Sequence, residues 1–152
     1  MQRCVFCDIV KGKQKADIIY EDKKAMVVLH KNAITEGHAI IFTKTHYKDI
    51  FDVKQEEFEH VIDVAKKLSL FYKKELRCKG INILQASGEI AGQKVNHFHI
   101  QLIPRYANDG LGNLWNVSTD KCVNNFLVRG RLLTSKYFKM LGSENKVKPI
   151  KQ

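Results

Sequence analysis

Apolar residues in the first third of the chain occur in short runs that are separated by polar and charged residues. The runs cover residues 18–20, 25–29 and 38–42, and the breaks between them contain Glu, Asp, Lys, Asn and Gly. Short apolar runs bounded by turn-forming residues are typical of β-strands. The pattern therefore predicts three strands before residue 45.

The apolar period changes between residues 52 and 76. Apolar side chains recur there at spacings of three and four, at Phe58, Val61, Ile62, Ala65 and Leu68. This spacing places them on one face of an amphipathic helix. Asp52, followed three residues later by Gln55, resembles a capping box, so we expect the helix to begin near Asp52.

Strand patterns return after the helix. Residues 80–85 and 95–103 are predicted strands, and a turn of small residues at 86–92 separates them. Strands on both sides of one long helix indicate an α+β domain with an antiparallel sheet.

The C-terminal part of the chain has a weaker pattern. Residues 124–141 predict a second amphipathic helix, although Gly130 interrupts it. Residues 142–152 form a basic tail that we expect to be flexible. The predicted organisation is thus one domain at 1–141, including this C-terminal helical segment, followed by the tail.

Charge narrows the classes of partner. The chain has 152 residues, enough for one domain with a buried core, and a formal net charge of +10. An excess of positive charge favours anionic partners, and nucleotides, nucleic acid or a membrane surface all fit it. No apolar stretch is long enough to span a membrane, and Arg3 comes too early for an apolar signal core. We expect a cytoplasmic protein with reduced cysteines and no membrane partner.

The strand predicted at 95–103 carries the strongest candidate chemistry. Alternate residues of a strand share a face, so His97, His99 and Gln101 are expected on one face. The opposite face would be anchored in the core by Phe98, Ile100 and Leu102, and Pro104 is expected to end the strand. The alternative is an ordinary half-buried strand whose polar residues face water.

A histidine on such a strand suits phosphoryl chemistry. A neutral imidazole can attack phosphorus when its second nitrogen is held by a backbone carbonyl. The glycine-containing turn at 88–93 could present backbone N–H groups to an anion. His99 beside this turn is therefore a plausible nucleophile.

Further cysteines and histidines extend the candidate site. Cys4 and Cys7 form a CxxC pair, and His38 and His46 flank the predicted strand 38–42. Two thiolates with two imidazoles would suit a closed structural zinc site, whereas the alternative is a pair of buried thiols. His38 could be part of the candidate site, or it could simply shape the turn at Gly37. His60 lies among acidic residues of the predicted helix, so we expect it at the surface.

Several motifs together resemble the histidine triad (HIT) family of nucleotide hydrolases and transferases, particularly its short bacterial and archaeal type. Their order and spacing carry the resemblance, at residues 4–9, 19–22, 37–46, 88–93, 97–106 and 109–112 and at Trp115. The resemblance implies a five-stranded antiparallel sheet with one long helix, usually paired into a homodimer.

The resemblance also implies roles for individual residues. His99 matches the nucleophile that attacks the α-phosphorus of a nucleotide and forms a nucleotidyl-histidine intermediate, and Gln101 occupies the third position of the triad. The phosphate-binding positions correspond to Gly92, Gln93, Lys94 and His38. The pocket for base and ribose corresponds to Phe6, Ile9, Leu29 and His30. The zinc ligands correspond to Cys4, Cys7, His46 and His97.

Three positions depart from the family pattern. Gln101 replaces a histidine, as in the hexose-1-phosphate uridylyltransferases. Gln101 can donate a hydrogen bond to a phosphoryl oxygen but cannot exchange a proton. His30 stands where an aspartate usually binds the ribose, and Ala86 stands where an asparagine usually contacts the nucleotide.

Three functions remain open on the sequence. The first is a nucleotide hydrolase that releases a nucleoside monophosphate from dinucleoside polyphosphates, phosphoramidates or related conjugates. The second, suggested by Gln101, is a nucleotidyltransferase that passes the nucleotide to a phosphate or alcohol acceptor. The third is a non-catalytic module that binds nucleotides or nucleic acid through its positive charge.

Overall fold

The computed structural model of the protein describes residues 4–112. The helices are α1 (Val5–Val10) and α2 (Gln55–Phe71), which a π-helical turn (Tyr72–Leu76) extends, and a short 3₁₀ turn lies at Glu89–Ala91. The strands are β1 (Ile18–Glu21), β2 (Ala25–Leu29), β3 (Ala39–Thr43), β4 (Gly80–Leu84) and β5 (His99–Arg105). The helix predicted at 124–141 and the tail at 142–152 lie outside the described residues.

The five strands form one sheet in the order β1-β2-β3-β5-β4, and every neighbouring pair is antiparallel. This arrangement confirms the predicted α+β class and the five-stranded antiparallel sheet. Within the described part of the chain, no helix is long and apolar enough to cross a membrane.

Both faces of the sheet are covered at its centre. All five residues of β2 are buried, and they alternate between two core clusters. Ala25, Val27 and Leu29 belong to the cluster that includes α2, whereas Met26 and Val28 belong to the one that includes α1. A strand buried on both faces is apolar throughout, which explains the uninterrupted run at 25–29.

Helix α2 begins three residues later than predicted, and the capping-box prediction is wrong. The Asp52 carboxylate accepts the Lys48 backbone N–H at 2.7 Å, and the residue before the helix, Lys54, makes no side-chain cap. Gln55 donates its amide to Glu59, one turn further along the helix. Asp52 thus closes the preceding turn, which leaves it unavailable as a helix cap.

Strand β5 is shifted toward the C-terminus relative to its prediction. Residues 95–98 form an irregular approach, in which the backbone N–H of Phe98 donates to the Tyr47 carbonyl at 2.6 Å. His97 therefore precedes the strand, but its ring contacts Phe6, as the ring of His99 does, while Phe98 lies in the opposite core cluster. The apolar positions are confirmed, because Phe98, Ile100 and Leu102 are all buried in one cluster.

Pro104 does not end β5, contrary to the prediction. It pairs with Ile81 of β4, while the ladder between β3 and β5 has already ended at the Ala39–Leu102 pair. Beyond that pair, β5 is hydrogen-bonded to β4 alone. The missing N–H of Pro104 therefore leaves no partner unsatisfied on the β3 side.

Helix α1 was missed because it is too short to show a helical period. It spans six residues, buries Phe6 and Ile9 one turn apart, and contacts the sheet through stacking of Phe6 on Phe42 at 4.4 Å. The CxxC pair lies at its beginning, so this packing fixes the position of both cysteines relative to the sheet.

His60 is an anchor between α2 and the β1–β2 turn rather than a free surface residue. Its Nε2 lies 2.6 Å from the Asp22 carboxylate, which also accepts the Tyr20 hydroxyl and the backbone N–H groups of Lys24 and Ala25. Burial opposes ionisation of Asp22, but these hydrogen bonds more than offset burial and lower its pKa.

We expect Asp22→Ala to reduce the free energy of unfolding by about 2–3 kcal/mol at pH 7, because several hydrogen bonds to a charged group are lost. The folded pKa of Asp22 lies below the unfolded value, so this contribution is complete above about pH 4 and disappears as the pH falls through the folded value. Denaturant titrations at pH 7 and pH 3 should therefore show the difference between wild type and variant narrowing. Asp63→Ala is the control, since Asp63 forms a half-exposed pair with Lys67 and should cost less than about 1 kcal/mol. An unchanged difference at pH 3 would contradict this assignment.

Candidate active site and metal centre

The four predicted metal ligands lie together. One donor atom from each of Cys4, Cys7, His46 and His97 falls within 4.8 Å of the other three. The Cys4 Sγ–His97 Nδ1 and Cys7 Sγ–His46 Nδ1 distances are both 3.3 Å, and Cys7 Sγ–His97 Nδ1 is 3.7 Å. A tetrahedral zinc ion separates neighbouring sulfur and nitrogen ligands by about 3.6 Å. The donor types and spacing therefore fit a closed zinc site.

The hydrogen bonds around His97 prepare it for this role. His97 is fully buried, and its Nε2 lies 2.8 Å from the Thr43 carbonyl. Donation from Nε2–H fixes the tautomer, so the lone pair of Nδ1 faces the two thiols. Burial lowers the pKa of His97 to about 4, which keeps the imidazole neutral. Thr43 was not predicted as part of the site.

The thiols favour a cation between them. Burial, together with the neighbouring Cys4 thiol, raises the pKa of Cys7 to about 11. Both cysteines are free rather than joined in a disulfide. A thiol with a raised pKa is a poor nucleophile at neutral pH, whereas a bound divalent cation would stabilise both thiolates by its own charge. The pair therefore suits metal binding better than nucleophilic or redox catalysis.

His99 has the orientation that a nucleophilic imidazole requires. Its Nδ1 lies 2.7 Å from the His97 carbonyl, which accepts the Nδ1 proton and leaves a lone pair on Nε2. Nε2 makes no hydrogen bond to any residue among 4–112. Burial lowers the pKa of His99, so the neutral form is favoured. The edge of Phe6 packs against the ring at a centroid distance of 5.1 Å.

Gln101 is held by His38. The Nε2 of His38 donates to Gln101 Oε1 at 3.0 Å, and its Nδ1 accepts the Ile34 backbone N–H at 3.4 Å. The Gln101 amide group is thereby turned so that its NH₂ points away from His38. Phosphate binding by His38 stays a prediction, and it would require one of these two hydrogen bonds to open around a buried side chain. In this structure the contact of His38 within the site is its hydrogen bond to Gln101.

His30 lies against His38 in the same cluster. The two rings stack in parallel at a centroid distance of 4.4 Å and an interplanar angle of 3°. The Nδ1 of His30 accepts the Asn32 backbone N–H at 3.0 Å, which leaves Nε2–H as a donor. Burial lowers the pKa of His30, and a charge on the nearby His99 would lower it further.

Gln93 holds the predicted phosphate loop together through its side chain. Its Oε1 accepts the Gly88 N–H at 2.7 Å, while its Nε2 donates to the carbonyls of Lys48 and Val95 at 2.7 and 2.9 Å. The backbone N–H groups of Gly92 and Gln93 are also used within this loop. Phosphate binding by these two residues stays a prediction, and it would require the loop to open those bonds.

Lys94 lies in a cleft of about 930 Å³ beside the metal cluster. Lys11 and Lys48 also line this cleft, and Asp8 is the acidic residue that accompanies them. Three ammonium groups around one opening attract an anion. The predicted contribution of Lys94 to phosphate binding is compatible with this position.

The predicted base-binding residues lie in the core. Phe6, Ile9 and Leu29 are each less than a tenth exposed. Phe6 also connects the two halves of the site, because its ring contacts both His97 and His99. Contact of these three residues with a nucleobase stays a prediction.

Comparison with known proteins identifies a domain family. Residues 11–108 match the HIT domain family. An uncharacterized HIT-like protein from Methanocaldococcus jannaschii is 36% identical over 122 residues, covering 78% of this chain and 94% of the relative. The adenosine 5′-monophosphoramidase of Saccharomyces cerevisiae is 33% identical over 102 residues, covering 67% and 62% of the two chains.

A solved structure extends the comparison to the metal. The zinc-bound histidine triad family protein from Mycobacterium smegmatis superposes with a TM-score of 0.77 at 30% identity, covering 90% of this chain and 94% of that one. A zinc-bound relative and a Cys₂His₂ cluster of suitable spacing support the zinc prediction together. With a family match over most of its length, the chain belongs to the HIT domain family.

Proposed function

We propose that the protein is a nucleotide hydrolase in which His99 is the nucleophile. The orientation of His99 carries this proposal, because its Nδ1–H is held by the His97 carbonyl while Nε2 keeps a free lone pair. Nε2 attacks the α-phosphorus of a nucleotide conjugate, an N–P bond forms, and the bond from phosphorus to the leaving group breaks. Water then attacks the nucleotidyl-histidine, the N–P bond breaks, and a nucleoside monophosphate is released.

The surrounding groups stabilise charge on the phosphoryl oxygens. The NH₂ of Gln101, turned away from His38, is a neutral donor for one oxygen. Lys94 supplies positive charge from the neighbouring cleft. A relative from yeast is an adenosine 5′-monophosphoramidase, which supports a nucleoside 5′-monophosphate as the group that His99 takes up.

We propose that Cys4, Cys7, His46 and His97 hold a structural zinc ion. When bound, the ion supplies a rigid crosslink between the N-terminal helix and the sheet, with all four positions filled by protein. The crosslink fixes His97, and the carbonyl of His97 in turn orients His99.

Reduced thiols persist in reducing compartments, so we place the protein in the cytoplasm.

We propose that the protein forms a homodimer through β4. This strand is at the edge of the described sheet, and its residues Ile83 and Leu84 are 47% and 39% exposed. An exposed edge strand with apolar side chains is a template for pairing with a second chain. Analytical ultracentrifugation of wild type and Ile83→Glu measures the association.

Gln101 supports a nucleotidyltransferase as the second candidate, because an amide cannot exchange a proton with water or with a leaving group. A radiolabelled dinucleoside polyphosphate, incubated with and without phosphate or alcohol acceptors, separates the two. The hydrolase predicts nucleoside monophosphate as the main product at every acceptor concentration. Acceptor adducts that replace it, with ping-pong kinetics, would identify a transferase.

A further inference from the structure

The loop between β2 and β3 fixes the two histidines at its ends. The His30 N–H donates to the His38 carbonyl at 2.9 Å, which closes the loop. Backbone N–H groups inside the loop then point at both rings: Asn32 donates to His30 Nδ1 and Ile34 donates to His38 Nδ1. Each ring therefore carries its single proton on Nε2.

Neither ring can become an imidazolium without breaking this arrangement. A second proton would have to go onto Nδ1, where a backbone N–H already points. Two cations would also repel each other across parallel rings 4.4 Å apart. Burial and, to a lesser extent, the neighbouring His30 lower the pKa of His38 to about 4. The neutral form that this pKa favours is also the form that the hydrogen bonds require.

His30, His38 and Gln101 thus donate hydrogen bonds but do not deliver protons. The Nε2–H of His38 donates to Gln101, the ring of His30 is neutral with its proton on Nε2, and Gln101 is an amide. A general acid passes its proton to the leaving group and must regain one afterwards. A neutral imidazole whose Nδ1 accepts a hydrogen bond would have to become an imidazolate, which is not accessible near pH 7.

We propose that the loop locks His30 and His38 as neutral hydrogen-bond donors, and that the site is thereby restricted to leaving groups that depart as stable anions, such as phosphates and pyrophosphate. This inference rests on the proposed function. When a phosphoanhydride is cleaved, the P–O bond breaks and the leaving phosphate keeps the electron pair. An amine leaving group must take up a proton as the P–N bond breaks, and these residues offer none. Phosphoramidates are therefore expected to be poor substrates.

A matched substrate pair tests this restriction. The p-nitrophenyl ester of adenosine monophosphate releases a stable anion, whereas the leaving group of adenosine 5′-phosphoramidate needs a proton. We expect Gln101→His to raise the amidate-to-ester ratio of kcat/KM by at least about 10-fold, because it adds a titratable group next to the nucleophile. His30→Asn and His38→Asn, which keep a neutral donor, should leave the ratio within about twofold. His60→Asn is the control for a histidine outside the site.

Two results would overturn the restriction. One is a 10-fold fall in the amidate-to-ester ratio on replacing His30 or His38, because that residue would then be the acid. The other is a nitrogen-15 NMR spectrum of the wild-type imidazoles in which His30 or His38 carries a proton on both ring nitrogens at pH 6.5, and this measurement needs no variant. Absence of His99-dependent cleavage of both substrates would instead remove the proposed hydrolase itself.

Discussion

Replacing His99 by alanine is expected to lower kcat for nucleotide release by about 10⁴-fold or more, because the covalent route through Nε2 is lost. Donors such as the Gln101 amide would remain and could still position the substrate for attack by water. Weak residual activity is therefore compatible with His99 as the nucleophile. The measurement is the initial rate of monophosphate release from a dinucleoside polyphosphate at saturating substrate. Thermal unfolding checks that the variant is folded.

The control for this variant is His60→Ala. His60 is also a partly exposed histidine, but it belongs to α2 and bonds to Asp22 in the β1–β2 turn, outside the candidate site. Its replacement should reduce stability and leave kcat within about twofold at a temperature where the variant is folded. A His99→Ala protein that keeps a tenth or more of the wild-type kcat would contradict nucleophilic catalysis by this residue.

Removing the metal is expected to lower the midpoint of thermal unfolding by about 10 °C. A ligand present at about 1,000 times its Kd stabilises the folded state by about 4 kcal/mol, and each kcal/mol shifts the midpoint by about 2–4 °C in a chain of this size. The same shift should follow Cys7→Ser, which removes one ligand of the proposed tetrahedral set. Calorimetry with and without a chelator, combined with metal analysis, measures both effects.

Cys78→Ser provides the matched control. Cys78 is a buried free cysteine that belongs to the α2-side core and not to the metal cluster. Its replacement should leave the zinc content at one ion per chain. Wild-type protein that binds no zinc, or a Cys7→Ser variant that keeps both its zinc and its melting temperature, would show that the four residues are not a metal site.

The central strands could be predicted from the sequence because burial on two faces requires uninterrupted apolar residues. The predicted run at 25–29 coincides with β2, and the run at 38–42 differs from β3 by one residue at each end. Element ends were less predictable, because they depend on contacts between distant residues. Asp52, the predicted cap, closes a turn instead, and Pro104 lies within β5 because the β3 ladder ends two residues earlier.

The candidate site was predictable in its residue types more than in its hydrogen bonds. The CxxC pair and the resemblance indicated all four residues of the metal cluster, and these do converge. The orientation of His38 was not predictable, because its partners are the Ile34 backbone N–H and the Gln101 amide. Backbone donors depend on turn geometry, which the side-chain pattern does not specify. For the same reason, the structural role of the Gln93 side chain was missed.

Detection of a covalent nucleotidyl-histidine tests nucleophilic catalysis by His99 most directly. Wild-type protein is mixed with a dinucleoside polyphosphate, quenched within one turnover at high pH, where phosphorylated imidazoles persist, and digested for mass spectrometry. We expect the peptide that contains His99 to gain the mass of one nucleotidyl group, and we expect the same peptide from His99→Ala to remain unmodified. Turnover by the wild type with no adduct on His99 at any time point, or an adduct on another residue, would contradict the account.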